Sequence, residues 1–138
     1  MKIQILSCIG HLILLVIALL LFPKISIIGA VTLLYLFPLI INLACFLICK
    51  KDKQSKLKVY SLSLISLIYY IILSVILANN GTWSEFAELN SYNNGQVALS
   101  VTNSPLQLSQ IIFCFILYFG FGFILTLFIR RDNYESRN

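Results

Sequence analysis

The chain has 138 residues, of which 59% are hydrophobic and 11% are charged, and its mean hydropathy is +0.93. A soluble domain carries about 25% charged residues, so this composition excludes an ordinary water-soluble domain and predicts an integral membrane protein. The formal net charge is +5, and the basic residues cluster beside the apolar stretches.

Four apolar stretches are long enough to cross a bilayer. About 20 residues at a rise of 1.5 Å each match a hydrocarbon core of roughly 30 Å, and open strands would leave unpaired amides in lipid, so each span is predicted to be helical. The predicted fold class is therefore an all-α integral membrane protein, a four-transmembrane-helix bundle made of one domain. The predicted spans are residues 3–22, 25–49, 59–78 and 111–129.

The charges between the spans predict the orientation. Residues 50–58 contain five lysines, and the tail over residues 130–138 contains three arginines. Short basic segments favour the cytoplasm, so both termini are predicted to lie inside (N-in, C-in). A short first loop at Lys24 and a longer second loop, residues 79–110, are then extracytoplasmic. A basic segment can also bind nucleic acid or acidic lipid headgroups, but this one is interpreted as a topology signal and no nucleic-acid partner is predicted.

The first part of the loop over residues 79–110 has the signature of a short helix. Thr82 and Glu85 match a capping box with Thr82 as the N-cap. The helix is expected to lie at the outer interface, anchored by Trp83. Trp83, Glu85 and Glu88 are the candidates for contact with an external partner.

The second part of that loop contains a turn signal and an alternating pattern. Asn93, Asn94 and Gly95 indicate a turn, and residues 97–102 alternate in strand fashion before Pro105. A small hairpin and an irregular polar loop both fit so few residues.

Polar residues inside the spans are costly and point to contacts within the bundle. Counting inward from the charged ends places His11, Asn42 and Ser66 at a similar depth of roughly 12 Å, which predicts an intramembrane polar layer. Two interpretations of His11 compete. It is either a proton-responsive group in a transport path or a neutral imidazole bonded to Asn42 or a serine. The second is favoured, because the spans contain no Asp, Glu, Lys or Arg at depth.

Helical spacing also predicts which side of each span faces inward. The predicted inward sets are Gln4, Cys8, His11, Leu15 and Ala18 in the first span, Ser63, Ser66, Tyr70 and Ser74 in the third, and Cys114, Tyr118, Gly122 and Thr126 in the fourth. Such small and hydroxyl-bearing residues permit close approach of helices and hydrogen bonds between them.

Three further residues are candidates for helix packing or a hinge: Pro38, Gly120 and Gly122. Pro38 has no amide hydrogen, so it frees the carbonyl of Leu34 and is expected to kink the second span. The two glycines, set among aromatic residues, predict close contact with a neighbouring helix.

No catalytic residue, cofactor or metal is predicted. The chain has one histidine, and its spans contain no carboxylate, so metalloprotease, aspartyl and serine chemistry lack their usual groups. Cys45 and Cys49 lie one helical turn apart, but two thiols without further ligands make a poor metal site. The cysteines are interpreted as small apolar fillers, and the chain is predicted not to be an enzyme.

The short-loop, long-loop layout resembles that of the tetraspanins in architecture, but the outer loop has no cysteines, so membership is not predicted. The sequence favours a non-enzymatic accessory, regulatory or immunity-type protein that binds another membrane component. The alternative is a small oligomeric transporter or a channel or holin-like subunit. The expected surroundings are the lipid bilayer and a membrane-protein partner or a second copy. The lysine-, isoleucine- and asparagine-rich composition favours a multi-pass protein of a bacterial cytoplasmic membrane.

Overall fold

The computed structural model describes residues 2–49, 56–93, 98–99, 101 and 104–135. Within those residues the regular secondary structure is helical apart from one short strand pair. The helices are α1 (Lys2–Leu21), α2 (Ile27–Val31), α3 (Phe37–Ile48), α4 (Lys56–Asn79), α5 (Thr82–Asn90) and α6 (Leu108–Glu135), and the strands are β1 (Tyr92–Asn93) and β2 (Ala98–Leu99). A 3-10 turn (Phe22–Lys24) follows α1, and a π-helical turn (Thr32–Leu36) joins α2 to α3.

Among the described residues, four helical segments are long and apolar enough to cross a membrane, which indicates a multi-pass membrane protein. They are span 1 (Lys2–Lys24), span 2 (Ile27–Ile48), span 3 (Lys56–Asn79) and span 4 (Leu108–Phe128). The prediction of four apolar helices is thus confirmed.

Two of the predicted connections differ in extent from the observed helices. Most of the predicted basic loop, residues 50–55, lies outside the described residues, and α4 already begins at Lys56. The predicted tail begins as a continuation of α6, which ends at Glu135, and residues 136–138 lie outside the described chain.

Span 3 lies at the centre of the bundle, between span 1 and span 4, and span 2 packs mainly against span 1. Spans 1 and 3 run parallel, because Gln4 bonds to Ser61 near one end and His11 bonds to Ser66 further along. Span 3 is also the span with the largest buried share. Side chains on α4 can therefore contact each of the other three spans.

The two ends of the bundle are built differently. At the end called here the basic end, Ile3, Cys49 and Leu62 pack together, and α4 begins at Lys56. At the opposite end, called the loop end, α1 passes through Pro23 into the 3-10 turn, and Ser26 caps α2 by accepting a 3.4 Å hydrogen bond from the Gly29 amide. The short connection forces spans 1 and 2 into a tight antiparallel pair.

Helix α5 is packed onto the loop end. The predicted capping box is wrong: the N-cap is Gly81, at a φ of 78° that favours glycine, and no side chain caps the helix. Instead, the Thr82 amide donates a 3.0 Å bond to Asn80 Oδ1. A glycine with this backbone lets the chain turn directly from α4 into α5. Glu85 makes no capping bond to the start of the helix, and its side chain is exposed.

After α5 the chain forms a two-residue antiparallel pair in which Tyr92 lies opposite Leu99 and Asn93 opposite Ala98. The predicted turn at residues 94–95 lies outside the described residues. Beyond the pair, the chain returns to the bundle at Pro105, whose carbonyl accepts a 2.6 Å bond from Tyr70 Oη on α4.

The observed inward faces agree with the predicted ones on two spans and differ on the first. The predicted sets of spans 3 and 4 are buried. On α1 the buried residues are Ile3, Ser7, His11, Leu14 and Ala18, while Cys8 is exposed. The prediction for Cys8 was therefore wrong by a rotation of about one residue around the helix.

Candidate functional site

The candidate site is a group of polar side chains within the bundle, contributed by three spans. Span 1 supplies Ser7 and His11, span 2 supplies Asn42 from α3, and span 3 supplies Ser66 from α4; all four are buried. Ser7 and His11 are four residues apart, so they lie on the same face of α1. The structure thus brings together His11, Asn42 and Ser66, and it adds Ser7.

The hydrogen bonds of the group determine the tautomer of His11. Nδ1 lies 2.8 Å from the carbonyl oxygen of Ser7, which can only accept, so Nδ1 carries the proton. Nε2 is then the acceptor, and Ser66 Oγ donates to it over 3.0 Å. A neutral imidazole satisfies both contacts.

Two further bonds close the group on itself, and Asn42 Nδ2 also donates to the Leu62 carbonyl over 3.4 Å. Asn42 Nδ2 donates to Ser66 Oγ over 2.8 Å, and Ser7 Oγ donates to Asn42 Oδ1 over 3.4 Å. Each of the four residues therefore donates to one member and accepts from another. We call Ser7, His11, Asn42 and Ser66 the polar ring. In a low-dielectric interior such a satisfied network fixes the relative position of its helices.

An aromatic contact links the polar ring to the break in span 2. The His11 ring meets the ring of Tyr69 edge to face, with centroids 5.5 Å apart. Tyr69 Oη donates a 3.2 Å bond to the carbonyl oxygen of Leu33, which lies in the π-helical turn. Span 3 therefore contacts the polar ring through Ser66 and the π-helical turn of span 2 through Tyr69.

The break itself follows from Pro38. Without an amide at Pro38 the Leu34 carbonyl has no helical donor, as the sequence predicted. In addition, the Phe37 amide bonds to Thr32, five residues back, which leaves the Leu33 carbonyl free as well. Pro38 itself is buried.

Both freed carbonyls are satisfied by tyrosines of other spans. Tyr118 Oη on α6 donates a 2.5 Å bond to the Leu34 oxygen, and Tyr69 satisfies Leu33. An unpaired carbonyl in lipid is costly, so these two hydroxyls hold span 2 in its broken form. The two tyrosines were not among the predicted site residues. A signal for them was present, because a mid-span hydroxyl needs an acceptor and Pro38 frees one.

Replacing Tyr118 by phenylalanine is expected to lower the free energy of unfolding by about 1 kcal/mol, since the Leu34 carbonyl loses its donor. Pro38→Ala restores an amide that can bond to the same carbonyl. In the Pro38→Ala background, Tyr118→Phe should therefore cost less. SDS titration of the four proteins in detergent micelles gives the coupling energy of this double-mutant cycle. An equal cost in both backgrounds would mean that the tyrosine bond does not depend on the proline.

The two predicted packing glycines have different surroundings. A Cβ built on Gly122 would overlap Ser63 Oγ, which donates a 2.8 Å bond to the Tyr118 carbonyl. Gly122 therefore allows α6 to lie close to α4. Gly120 is exposed, and a Cβ there would meet nothing within 4 Å. Gly120 does not take part in packing between the described helices.

The predicted external contact residues also separate into two groups. Trp83 is buried, 5.8 Å from the ring of Phe22 and 5.4 Å from that of Phe86. The expectation that Trp83 is available to an external partner is therefore wrong: the indole fastens α5 to the hairpin of spans 1 and 2. Glu85 and Glu88 lie on the opposite face of α5 and are exposed.

Within the described residues, no group of three or more His, Cys, Asp or Glu is placed to hold a metal ion. Cys45 and Cys49 are buried beside Ile3 and Leu62.

Comparisons of the chain with protein families, curated proteins and solved structures find no match. The geometry of the polar ring and of α5 is therefore the basis for a functional proposal.

Proposed function

We propose that this chain is a non-enzymatic accessory protein of the cell membrane that acts by binding another membrane component at its loop end. The observation that carries the proposal is the polar ring. Its donors and acceptors are used by its own members and, for Asn42 Nδ2, also by the Leu62 carbonyl of span 3, so its role is to hold spans 1, 2 and 3 in one arrangement. A permeation path, in contrast, needs polar groups that face a water-filled cavity.

The contact surface in this proposal is the exposed face of α5. Glu85, Glu88 and Leu89 are exposed there, and the Leu89 side chain is 74% exposed. Two carboxylates beside an exposed leucine offer charge and apolar contact to one partner. A basic segment of a membrane protein or peptide fits this surface, which includes the immunity-type role.

The surface is held rigidly by the bundle beneath it. The buried face of α5 packs on Phe22, and Asn90 Nδ2 donates to the carbonyl of Ile25 over 3.5 Å and to that of Phe86 over 2.9 Å. Because the contacts with Phe22 and Ile25 join α5 to the hairpin of spans 1 and 2, a partner meets a preformed surface and loses less conformational entropy on binding.

The orientation in this proposal places the basic end in the cytoplasm and α5 outside, with both termini inside. Nine of the ten lysines and arginines lie at the basic end or in the segments that extend from it, and only Lys24 lies at the loop end. Such asymmetry sets the orientation of membrane proteins. A bacterial cytoplasmic membrane is the proposed location.

Site-specific photo-crosslinking in intact cells tests the proposal. A photoreactive residue at Leu89 is expected to form an adduct with a heterologous membrane component, whereas one at Leu57, 80% exposed at the basic end, should not form it. Glu85→Gln with Glu88→Gln should lower the adduct yield severalfold without changing stability. A cysteine at position 89, in a cysteine-free variant, should react with a membrane-impermeant maleimide added outside.

Two results would contradict the proposal. The first is the same adducts at positions 89 and 57, which would mean that crosslinking is non-specific. The second is a protein that only crosslinks to itself and that conducts ions alone in liposomes, which would favour an oligomeric channel.

A further inference from the structure

A groove runs along the lipid-facing seam between spans 1 and 3, outside the polar ring. Its volume is about 230 Å³. Span 1 contributes Cys8, His11 and Leu15, and span 3 contributes Ile65, Ile68 and Ile72. The two spans are parallel, so the groove follows both helix axes for about 10 Å, the length of seven helical residues.

The groove presents no free hydrogen-bonding group of the polar ring. Both imidazole nitrogens of His11 are hydrogen-bonded to other members of the polar ring. Tyr69 also lines the groove, and its hydroxyl donates to the Leu33 carbonyl on span 2. At the depth of the hydrocarbon core water is absent, and an empty groove would forfeit dispersion contacts. An apolar chain is the occupant that suits these walls.

Toward the basic end, the same two helix faces become polar. Gln4 precedes Cys8 by one turn on span 1, and Ser61 precedes Ile65 by one turn on span 3. Gln4 Nε2 donates to Ser61 Oγ over 3.0 Å, and Ser61 Oγ donates to the carbonyl of Lys58 over 2.7 Å. A polar pair therefore lies at the mouth of the groove.

Lys58 continues the line beyond this pair. It lies seven residues before Ile65, hence on the same face of α4 and about 10 Å further toward the basic end. Its side chain is partly exposed. From Lys58 to Ile72 the seam thus offers a cation, two polar side chains and an apolar groove, in that order.

We propose that this seam binds one anionic phospholipid. The acyl chain lies in the groove, the ester region lies beside Gln4 and Ser61, and the phosphate lies at the Lys58 ammonium. The distance from Lys58 to Ile72 is about 21 Å along the helix, which matches one leaflet, half of a hydrocarbon core of roughly 30 Å plus its polar region. Anionic rather than zwitterionic lipid is favoured by charge complementarity with Lys58, and Lys50, Lys51 and Lys53 precede it in the chain.

Native mass spectrometry of the purified full-length protein tests the assignment. The probes are phosphatidylglycerol and phosphatidylcholine, each added to the same detergent micelles. The unaltered protein is expected to retain one phosphatidylglycerol in preference to phosphatidylcholine. Lys58→Gln should weaken that binding about fivefold, and Ile68→Trp, which fills the groove, should abolish the retained molecule.

Each variant has a matched control on the same helix. Lys56→Gln removes the same charge from the opposite face of α4, and Leu64→Trp adds the same bulk at an exposed position outside the groove. Both controls should bind phosphatidylglycerol as the unaltered protein does. SDS titration verifies that all four variants are folded.

The controls also define the results that would overturn the proposal. Equal losses of phosphatidylglycerol binding in Lys58→Gln and Lys56→Gln would mean that the basic end attracts anionic lipid without a specific site. Unchanged binding in Ile68→Trp would exclude the groove as the chain site. Equal retention of the two lipids by the unaltered protein would exclude recognition of the anionic headgroup. Since none of these readouts involves α5, failure here leaves the proposed partner contact untouched.

Discussion

Gly122→Leu is expected to lower the free energy of unfolding by about 3 kcal/mol, because overpacking a tight contact forces neighbouring groups apart. A side chain at Gly122 would overlap Ser63 Oγ, and Ser63 bonds to the carbonyl of Tyr118. Moving Ser63 therefore also disturbs the backbone beside Tyr118, whose hydroxyl satisfies Leu34 in span 2. The substitution affects both faces of the contact between spans 3 and 4 and the break in span 2.

Gly120→Leu is the matched control for this prediction. Both substitutions raise the helix propensity of α6 by a similar amount, so the difference between them reports packing alone. Gly120 is exposed, with nothing near a built Cβ, so its variant should be at least as stable as the unaltered protein. SDS titration of both variants in detergent micelles provides the measurement. A larger loss for Gly120→Leu would contradict the packing and would place an interface between copies on that face.

The existence and approximate extent of the spans could be predicted because they depend on the length of apolar runs alone. Depth could also be inferred, since the rise per residue of a helix is constant. His11, Asn42 and Ser66 fall at one depth by this count, and these three residues are in hydrogen-bond contact. What counting along each helix could not supply is the rotation of the helix about its axis.

Rotation was the main source of error, and α1 shows why. In lipid, the outward face of a helix is as apolar as the inward face, so hydrophobic periodicity does not separate them. Leu12 and Ile13, for example, are exposed, while Leu14 is buried. The sequence therefore suggested Cys8 as an inward residue, and the structure has Ser7 there.

The loop end differed from prediction for another reason. The capping box was replaced by another local arrangement, with Gly81 as the N-cap and Asn80 bonded to the Thr82 amide, whereas the expected exposure of Trp83 was overridden by a contact distant in the chain. Phe22 lies at the end of span 1, and its ring packs against both Trp83 and Phe86. Nothing in the sequence of residues 79–110 indicates that Phe22, in the hairpin of spans 1 and 2, is an aromatic partner for α5. Similarly, the π-helical turn depends on hydroxyls from Tyr69 and Tyr118, which lie on other spans.

His11→Leu is expected to lower the free energy of unfolding by about 2 kcal/mol. The variant loses the interhelical bond to Ser66, which contributes about 1 kcal/mol in a membrane bundle, and the edge-to-face contact with Tyr69, which contributes about as much. The bond between Asn42 and Ser66 remains, so the polar ring is interrupted at His11 while spans 2 and 3 stay joined. SDS titration in detergent micelles measures the loss, and the same variant in liposomes reports any change in ion flux.

Two controls separate the polar ring from a general effect of removing a buried polar group. Thr126 is buried, and its hydroxyl bonds only to the Phe123 carbonyl among the described contacts. Because that bond lies within one helix, Thr126→Val should cost much less than His11→Leu. Ser66→Ala should cost less in the His11→Leu background than alone, because the bond between the two residues is already absent. Unchanged stability of His11→Leu together with loss of a pH-dependent current would overturn the structural role of the imidazole and make it part of a transport path.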